Sequence, residues 1–221
     1  MFKDKPQLVL FDLDGTLVDS VPDLAHCIDL MLVEMDQEPA GEERVRAWVG
    51  NGAEALVRRA LTGDMHSEPD NGLFQRAFAL FSDLYISNSD RSRLYPGVRD
   101  GIEHLKQADC ILGCVTNKRG QFTEPLLRAL GLYDEFAIVI SGDTLPRKKP
   151  DPMPLQHAME SLGIGPDQTL MIGDSRNDVE AARAAGTAVL CVRYGYNHGD
   201  DIESSCPDRV VDSLAELCDL I

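Results

Sequence analysis

The sequence predicts an α/β fold: a doubly wound, mostly parallel sheet with a Rossmann-like core, interrupted by an inserted all-helical segment. Two observations predict the sheet, because short apolar runs recur along the chain and amphipathic segments of helical spacing separate them. A third observation predicts the insertion. About 80 residues separate the first apolar run from Tyr95-Pro96-Gly97, far more than one strand-to-helix connection needs.

Five apolar runs each have the length of one buried strand. They cover residues 7–11, 111–116, 137–141, 169–173 and 188–192. The segments between them carry apolar residues at helical spacing, and two of these segments end at Gly131 and Gly163, as helices commonly do. Since strands and helices alternate, we expect the strands to be parallel and covered on both faces.

The long connection after the first strand contains helical patterns. Its first helix has apolar residues at Val21, Leu24, Ala25, Ile28, Leu32 and Met35, and further helical stretches cover about residues 42–49, 53–61 and 73–85. We therefore predict a helical domain of residues 20–92 and a core domain made of residues 1–19 and 93–221.

Composition excludes several classes of protein. The 221 residues are 43% hydrophobic and 26% charged, which is typical of a folded globular chain. The net charge of −16 predicts that neither nucleic acid nor an anionic membrane is a partner. No apolar run is long enough for a membrane span or a signal peptide. The six cysteines lack a Cys-x-x-Cys repeat, so we expect unpaired thiols in a reducing cytoplasm.

Polar residues follow the predicted strands, where open parallel sheets bind their ligands. They are Asp12, Asp14, Gly15 and Thr16 after the first strand, Thr116 and Asn117 after the second, Lys148 and Lys149 before Pro150, and Asp174 and Asp178 after the fourth. Asp12 and Asp14 face the same side of an extended segment, and Asp174 adds a third carboxylate. Such a cluster of hard oxygen ligands is what Mg²⁺ prefers, so we predict a magnesium site.

Basic residues gather at the same strand ends, although the chain is acidic. They are Lys118, Arg119, Arg147, Lys148, Lys149, Arg176 and Arg193. This pattern favours an anionic ligand such as a small phosphate ester. The alternative interpretation is that they are ordinary surface charges.

Taken in order, these motifs resemble those of the haloacid dehalogenase superfamily. The matching residues are DLDGTL at 12–17, Thr116, Lys149 before Pro150, and GDSRND at 173–178. The insertion resembles the cap domain of that family. DSVPDL at 19–24 and VGNG at 49–52 are similar to the phosphoglycolate phosphatase branch. The resemblance implies a phosphatase that uses Mg²⁺ to hydrolyse a small phosphorylated metabolite, with 2-phosphoglycolate as the first candidate. We expect the protein to be cytoplasmic and either a monomer or a homodimer.

The resemblance also implies roles for the acidic residues. Asp12 would attack phosphorus and form an aspartyl phosphate, and Asp14 would protonate the leaving alkoxide and then accept a proton from water. Asp12, Asp174 and the backbone carbonyl of Asp14 would ligate Mg²⁺. Asp178 would lie in the outer shell and orient waters or Lys149.

Contacts to the substrate are implied in the same way. Thr116 and Lys149 would stabilise the transferring phosphoryl group, with Lys148 as the alternative lysine. The complete set of expected substrate-binding residues is Gly15, Thr16, Thr116, Asn117, Lys149, Gly50, Asn51 and Gly52. For the last three, a loop of the insertion that faces the substrate and a plain turn between helices are both open interpretations.

Two other functions remain possible at the level of sequence. A phosphosugar phosphatase or a phosphomutase would share the same core motifs. A phospho-accepting signalling module of the receiver type also uses an acidic cluster, a Thr, a Lys and Mg²⁺. Such a module needs no helical insertion, so the chain length and the order of its motifs oppose it.

Overall fold

The computed structural model describes residues 5–221 and confirms the α/β fold. Six strands pair in parallel in the order β5-β4-β1-β6-β7-β8. These strands are β1 (Leu8–Phe11), β4 (Ile111–Val115), β5 (Ile138–Ile140), β6 (Thr169–Gly173), β7 (Ala188–Val192) and β8 (Arg209–Val211). A separate antiparallel pair consists of β2 (Val18–Asp19) and β3 (Arg93–Leu94). All five predicted strands are present, and β8 is an additional edge strand.

Eight α-helices accompany the strands within the described residues. They are α1 (Val21–Glu34), α2 (Glu42–Trp48), α3 (Ala53–Thr62), α4 (Asn71–Ser87), α5 (Val98–Gln107), α6 (Gly120–Ala129), α7 (Met153–Leu162) and α8 (Arg176–Ala185). Helices α5 and α6 contribute to the core on one face of the sheet, and α7 and α8 to the core on the other. The sheet is therefore covered on both faces, as predicted.

The central strand explains why the sheet needs helices on both sides. All four side chains of β1 are buried. Val9 and Phe11 belong to one core and Leu8 and Leu10 to the other, because successive side chains of a strand point to opposite faces. An uninterrupted apolar run is thus the expected sequence of a strand in this position.

The four helices between β2 and β3 share one cluster of buried apolar side chains, which Phe122 of α6 and Tyr196 also join. Apolar side chains of α1, α2, α3 and α4 pack together, including Trp48, which is 6% exposed. The division into two domains at residues 19/20 and 92/93 stays a prediction, and it places both boundaries beside the β2–β3 pair. For brevity we call residues 20–92 the cap. Among residues 5–221, no helix has the length and apolar character needed to cross a membrane.

Asp23 fastens the start of α1 to the chain segment that leaves the cap. It is fully buried, and its carboxylate accepts hydrogen bonds from the backbone N–H groups of Arg91 (2.9 Å) and Ser92 (2.7 Å). We expect Asp23→Ala to lower the free energy of unfolding by about 3 kcal/mol, because the buried N–H of Ser92 and the partly buried N–H of Arg91 lose their acceptor. Urea denaturation measures this change.

Asp29→Ala is the matched control for Asp23→Ala. Asp29 also accepts two backbone hydrogen bonds, from Ala40 (2.8 Å) and Gly41 (3.0 Å), but it is only half-buried. Water can replace the lost acceptor there, so we expect a loss of about 1 kcal/mol. Equal losses in the two variants would contradict the role assigned to burial.

Candidate active site

The carboxyl end of β1 places Asp12 at the centre of the site. Its backbone N–H donates to the carbonyl of Ile172 (2.9 Å), so the hydrogen-bond pattern of β1 with β6 continues through it. The Asp12 carboxylate accepts a bond from the backbone N–H of Leu13 (2.7 Å) and lies 3.0 Å from the Lys149 Nζ. Its side chain is 14% exposed, which leaves one oxygen-bearing edge open to a ligand.

Gly15 makes the tight turn after β1. Because it has no side chain, the turn can approach Asp174 closely. Its φ is +90°, and a Cβ at this position would lie 2.3 Å from an Asp174 carboxylate oxygen. The next residue, Thr16, donates its hydroxyl to Asp174 (2.9 Å), and the backbone N–H of Tyr196 donates to the other oxygen (2.5 Å). In this structure Thr16 therefore holds a carboxylate, and its predicted contact with substrate remains a prediction.

Three carboxylates converge beside this turn. Asp12, Asp174 and Asp178 each place an oxygen within 4.8 Å of the others. Burial raises the pKa of Asp12 to about 6 against the opposing effect of Lys149. Burial and the neighbouring carboxylates of Asp178 and Asp12 also raise the pKa of Asp174 well above its ordinary value. Crowded, desolvated anions of this kind are costly without a cation.

Lys149 and Asp178 form a buried pair behind Asp12. The Lys149 Nζ donates to Asp178 (2.6 Å), and both side chains are almost fully buried. The other Asp178 oxygen accepts bonds from the backbone and hydroxyl of Ser175, which closes the N-terminus of α8 as a capping box. Asp178 thus stabilises a helix and orients Lys149 at once. Lys148, the alternative lysine, instead donates to the carbonyl of Asn51 (2.8 Å).

Asp14 points away from the acidic cluster. Both of its oxygens accept hydrogen bonds from the Lys118 Nζ (3.2 Å each), and Lys118 also donates to the hydroxyl of Tyr85 (2.9 Å). This orientation agrees with an acid–base role for the Asp14 side chain. From the sequence, Lys118 is recognisable only as one of a group of basic residues, and Tyr85 carries no functional signal. The one available signal was that Lys118 directly follows the strand-end pair Thr116-Asn117.

Thr116 and Asn117 lie beside the cap loop. Thr116 is 4% exposed, and its hydroxyl accepts a bond from the backbone of Lys118 (3.2 Å). The Asn117 amide donates to the carbonyls of Lys149 (3.0 Å) and Gly50 (3.3 Å). Gly50 and Gly52 have φ values of +131° and +88°. The loop therefore reaches the sheet edge rather than turning in solvent.

A small cavity joins these groups. Its volume is about 40 Å³, and it lies between the strand ends and the cap. Its polar lining includes Asp12, Asp14, Thr116, Asn117, Lys118 and the hydroxyl-bearing Tyr85. Its cap wall is mainly apolar and includes Leu24, Val49, Leu56 and Phe81. The cavity is therefore polar on the side of the strand ends and mainly apolar on the side of the cap.

Most of the other basic residues at the strand ends have carboxylate partners. Arg119 pairs with Glu54, Arg147 with Asp151, Arg176 with Glu180, and Arg193 with Glu203. Among the basic residues singled out from the sequence, only Lys118 and Lys149 contact the candidate catalytic carboxylates. The interpretation as surface charges therefore suits the four arginines.

The donor set fits a divalent cation. Three carboxylates and one lysine ammonium leave two negative charges in a nearly dry site. Hard carboxylate oxygens favour Mg²⁺ over softer metals. Asp12 and Asp174 match the predicted ligands, and Asp178 lies within the same cluster although its predicted place is in the outer shell.

Comparisons with known proteins agree with this arrangement. The family model for haloacid dehalogenase-like hydrolases matches residues 9–192. The phosphoglycolate phosphatase of Nitrosococcus oceani is 55% identical, over 98% of this chain and 97% of the relative. The Thiobacillus denitrificans protein of the same name is 48% identical, over 94% and 92%. The crystal structure of a predicted phosphoglycolate phosphatase from Haemophilus somnus superposes with a TM-score of 0.92 at 38% identity and covers 99% of both chains.

Proposed function

Because the chain belongs to the haloacid dehalogenase-like hydrolases, we propose that it hydrolyses 2-phosphoglycolate to glycolate and phosphate in a Mg²⁺-dependent reaction. It is a phosphatase. The observation that carries the proposed chemistry is the position of Asp12, open to the cavity on one side and held by Lys149 at 3.0 Å on the other. Relatives named phosphoglycolate phosphatase support the choice of substrate.

In the first step, an Asp12 oxygen attacks phosphorus and the bond from phosphorus to the ester oxygen breaks. The products are an aspartyl phosphate on Asp12 and the alkoxide of the leaving group. Asp14 gives its proton to that alkoxide, which leaves as the alcohol. Asp14 suits this role because its side chain lines the cavity and points away from the acidic cluster.

In the second step, water attacks the phosphorus of the aspartyl phosphate. The Asp14 carboxylate takes a proton from that water, and the bond between phosphorus and the Asp12 oxygen breaks. Inorganic phosphate is released, Asp12 is free again and Asp14 is protonated for the next cycle. The sum of the two steps is hydrolysis of one ester bond.

The remaining groups stabilise negative charge on the phosphoryl group. Lys149 lies against Asp12, and Asp178 keeps its ammonium in place. Thr116 offers a hydroxyl at the end of the neighbouring strand. Mg²⁺, when bound by Asp12, Asp174 and the Asp14 carbonyl, would neutralise phosphoryl oxygens as a Lewis acid. The apolar cap wall of the cavity limits the access of bulk water to the aspartyl phosphate.

The proposal includes a cytoplasmic location and a monomer or homodimer. The six cysteines are all unpaired, two of them exposed, which fits a reducing compartment.

Phosphate release from a panel of phosphorylated metabolites tests the proposed substrate. We expect kcat/KM for 2-phosphoglycolate to exceed that for hexose phosphates at least about 100-fold, because the mainly apolar cap wall of the cavity offers the hydroxyl groups of a sugar few hydrogen-bond partners. Preference for a phosphosugar would overturn the substrate assignment. An isomerised sugar phosphate without free phosphate would instead identify a mutase.

A further inference from the structure

Two buried polar groups beside Asp14 in the cavity have no task in the reaction described above. They are the ammonium of Lys118, which belongs to the core, and the hydroxyl of Tyr85, which belongs to α4 of the cap. Lys118 alone is basic among the described residues that line the cavity. Both groups lie on the side of Asp14 rather than among the carboxylates of the acidic cluster.

Lys118 is a buried cation. Its side chain is only 5% exposed, and its Nζ donates to both oxygens of Asp14 (3.2 Å) and to the Tyr85 hydroxyl (2.9 Å). Burial disfavours its charge, but Asp14 and Tyr85 together hold the pKa of Lys118 above its ordinary value. The three donors of the ammonium are directed at these three oxygens, so an anion that enters the cavity would replace one of the two bonds to Asp14 and leave the other in place.

The Tyr85 hydroxyl has an unused proton. It accepts the bond from Lys118, and its own proton finds no acceptor among residues 5–221. Its ring stacks on Phe81 and meets the edge of Phe122, so the hydroxyl is held in a fixed place. Burial raises the pKa of Tyr85 to about 12, and the group therefore keeps its proton at neutral pH. A donor held beside a cation is a suitable site for a carboxylate oxygen.

We propose that Lys118 and Tyr85 bind the carboxylate of the substrate and select phosphorylated hydroxy acids over phosphate esters that carry no carboxylate. The inference rests on the proposed function. In 2-phosphoglycolate a single methylene carbon separates the ester oxygen from the carboxylate. With the ester oxygen at Asp14, the carboxylate falls next to Lys118, which lies 3.2 Å from that aspartate.

The apolar cap wall makes this selection strong. Leu24, Leu56 and Phe81 line the cavity, so a carboxylate enters with little water and needs a charged partner inside. An ester without the carboxylate leaves the Tyr85 donor unpaired, and sites built to bind a polar group reject analogues that lack it. One half of the site belongs to the cap and the other to the core, so a bound carboxylate also links the two.

Equilibrium binding separates recognition from chemistry. In the inert Asp12→Asn background with Mg²⁺ present, calorimetry compares 2-phosphoglycolate with inorganic phosphate. We expect the additional change Lys118→Met to weaken binding of 2-phosphoglycolate at least about 30-fold and that of phosphate less than about 3-fold. Arg147→Met is the control for loss of one positive charge near the site, since Arg147 pairs with Asp151 on the surface. It should leave both affinities unchanged.

Tyr85→Phe tests the cap half of the site with little risk to the fold. In the otherwise native enzyme, we expect the ratio of kcat/KM for 2-phosphoglycolate to that for ethyl phosphate to fall about 10-fold. An equal loss on both esters, or equal weakening of 2-phosphoglycolate and phosphate by Lys118→Met, would overturn the inference and assign these residues to positioning of Asp14. If the native enzyme itself does not prefer 2-phosphoglycolate, the proposed substrate fails instead.

Discussion

Replacing Asp12 by Asn is expected to lower kcat at least about 10⁴-fold, because the amide cannot attack phosphorus and no covalent intermediate forms. The fold should survive, since Asn has the shape of Asp and can keep the bond from the Leu13 N–H. Phosphate release gives the rate, and thermal unfolding checks the fold. Mass spectrometry of acid-quenched native enzyme should show phosphate on Asp12 during turnover.

Asp14→Asn provides the comparison that separates the two carboxylates. Asp12 remains, so the variant can still be phosphorylated, but proton transfer is lost and the rate should fall about 10²- to 10⁴-fold. The loss should be smaller with an ester whose leaving group needs no proton, such as p-nitrophenyl phosphate. Activity retained by Asp12→Asn would exclude the covalent route. A loss of kcat/KM in Asp14→Asn that is equal for all leaving groups would remove Asp14 from the role of general acid in the first step.

Much of this site could be predicted because strand ends are predictable. The uninterrupted apolar runs of β1, β4 and β6 locate three ends, and a parallel sheet brings its carboxyl ends to one edge. Asp12, Thr116 and Asp174 accordingly lie together in the structure. Strand β8 went unpredicted because it has only three residues and, at the sheet edge, lacks a fully apolar pattern.

Contacts between the cap and the core could not be predicted in the same way. Tyr85 looks like one more apolar position of α4, and only the packing of that helix brings its hydroxyl to Lys118. The backbone of Tyr196 reaches Asp174 through an irregular loop with no periodic signal. Helical spacing tells which face of a helix is buried, but it does not tell which atom of another segment lies opposite.

Removal of divalent metal is the second change with a large expected effect. Asp12, Asp174 and Asp178 leave two uncompensated negative charges beside Lys149, and a phosphate dianion would add to them. We therefore expect chelation to lower activity at least about 10³-fold and added Mg²⁺ to restore it. Native protein should also gain thermal stability when Mg²⁺ is added, because the ion binds only the folded site.

Asp174→Asn shows whether that stabilisation arises at the acidic cluster. The side chain of Asn has one acceptor oxygen, so it can keep the hydrogen bond from Thr16 or the bond from the backbone of Tyr196, but not both. The change also removes one negative charge from the proposed metal ligands. We expect the thermal shift with Mg²⁺ to be lost together with activity. Asp208→Asn, which alters a surface carboxylate paired with Arg183, should keep both. Full activity after chelation would rule out the proposed dependence on a metal. A thermal shift that persists in Asp174→Asn would place the metal elsewhere, because removal of one charge from three carboxylates must weaken a divalent cation held by them.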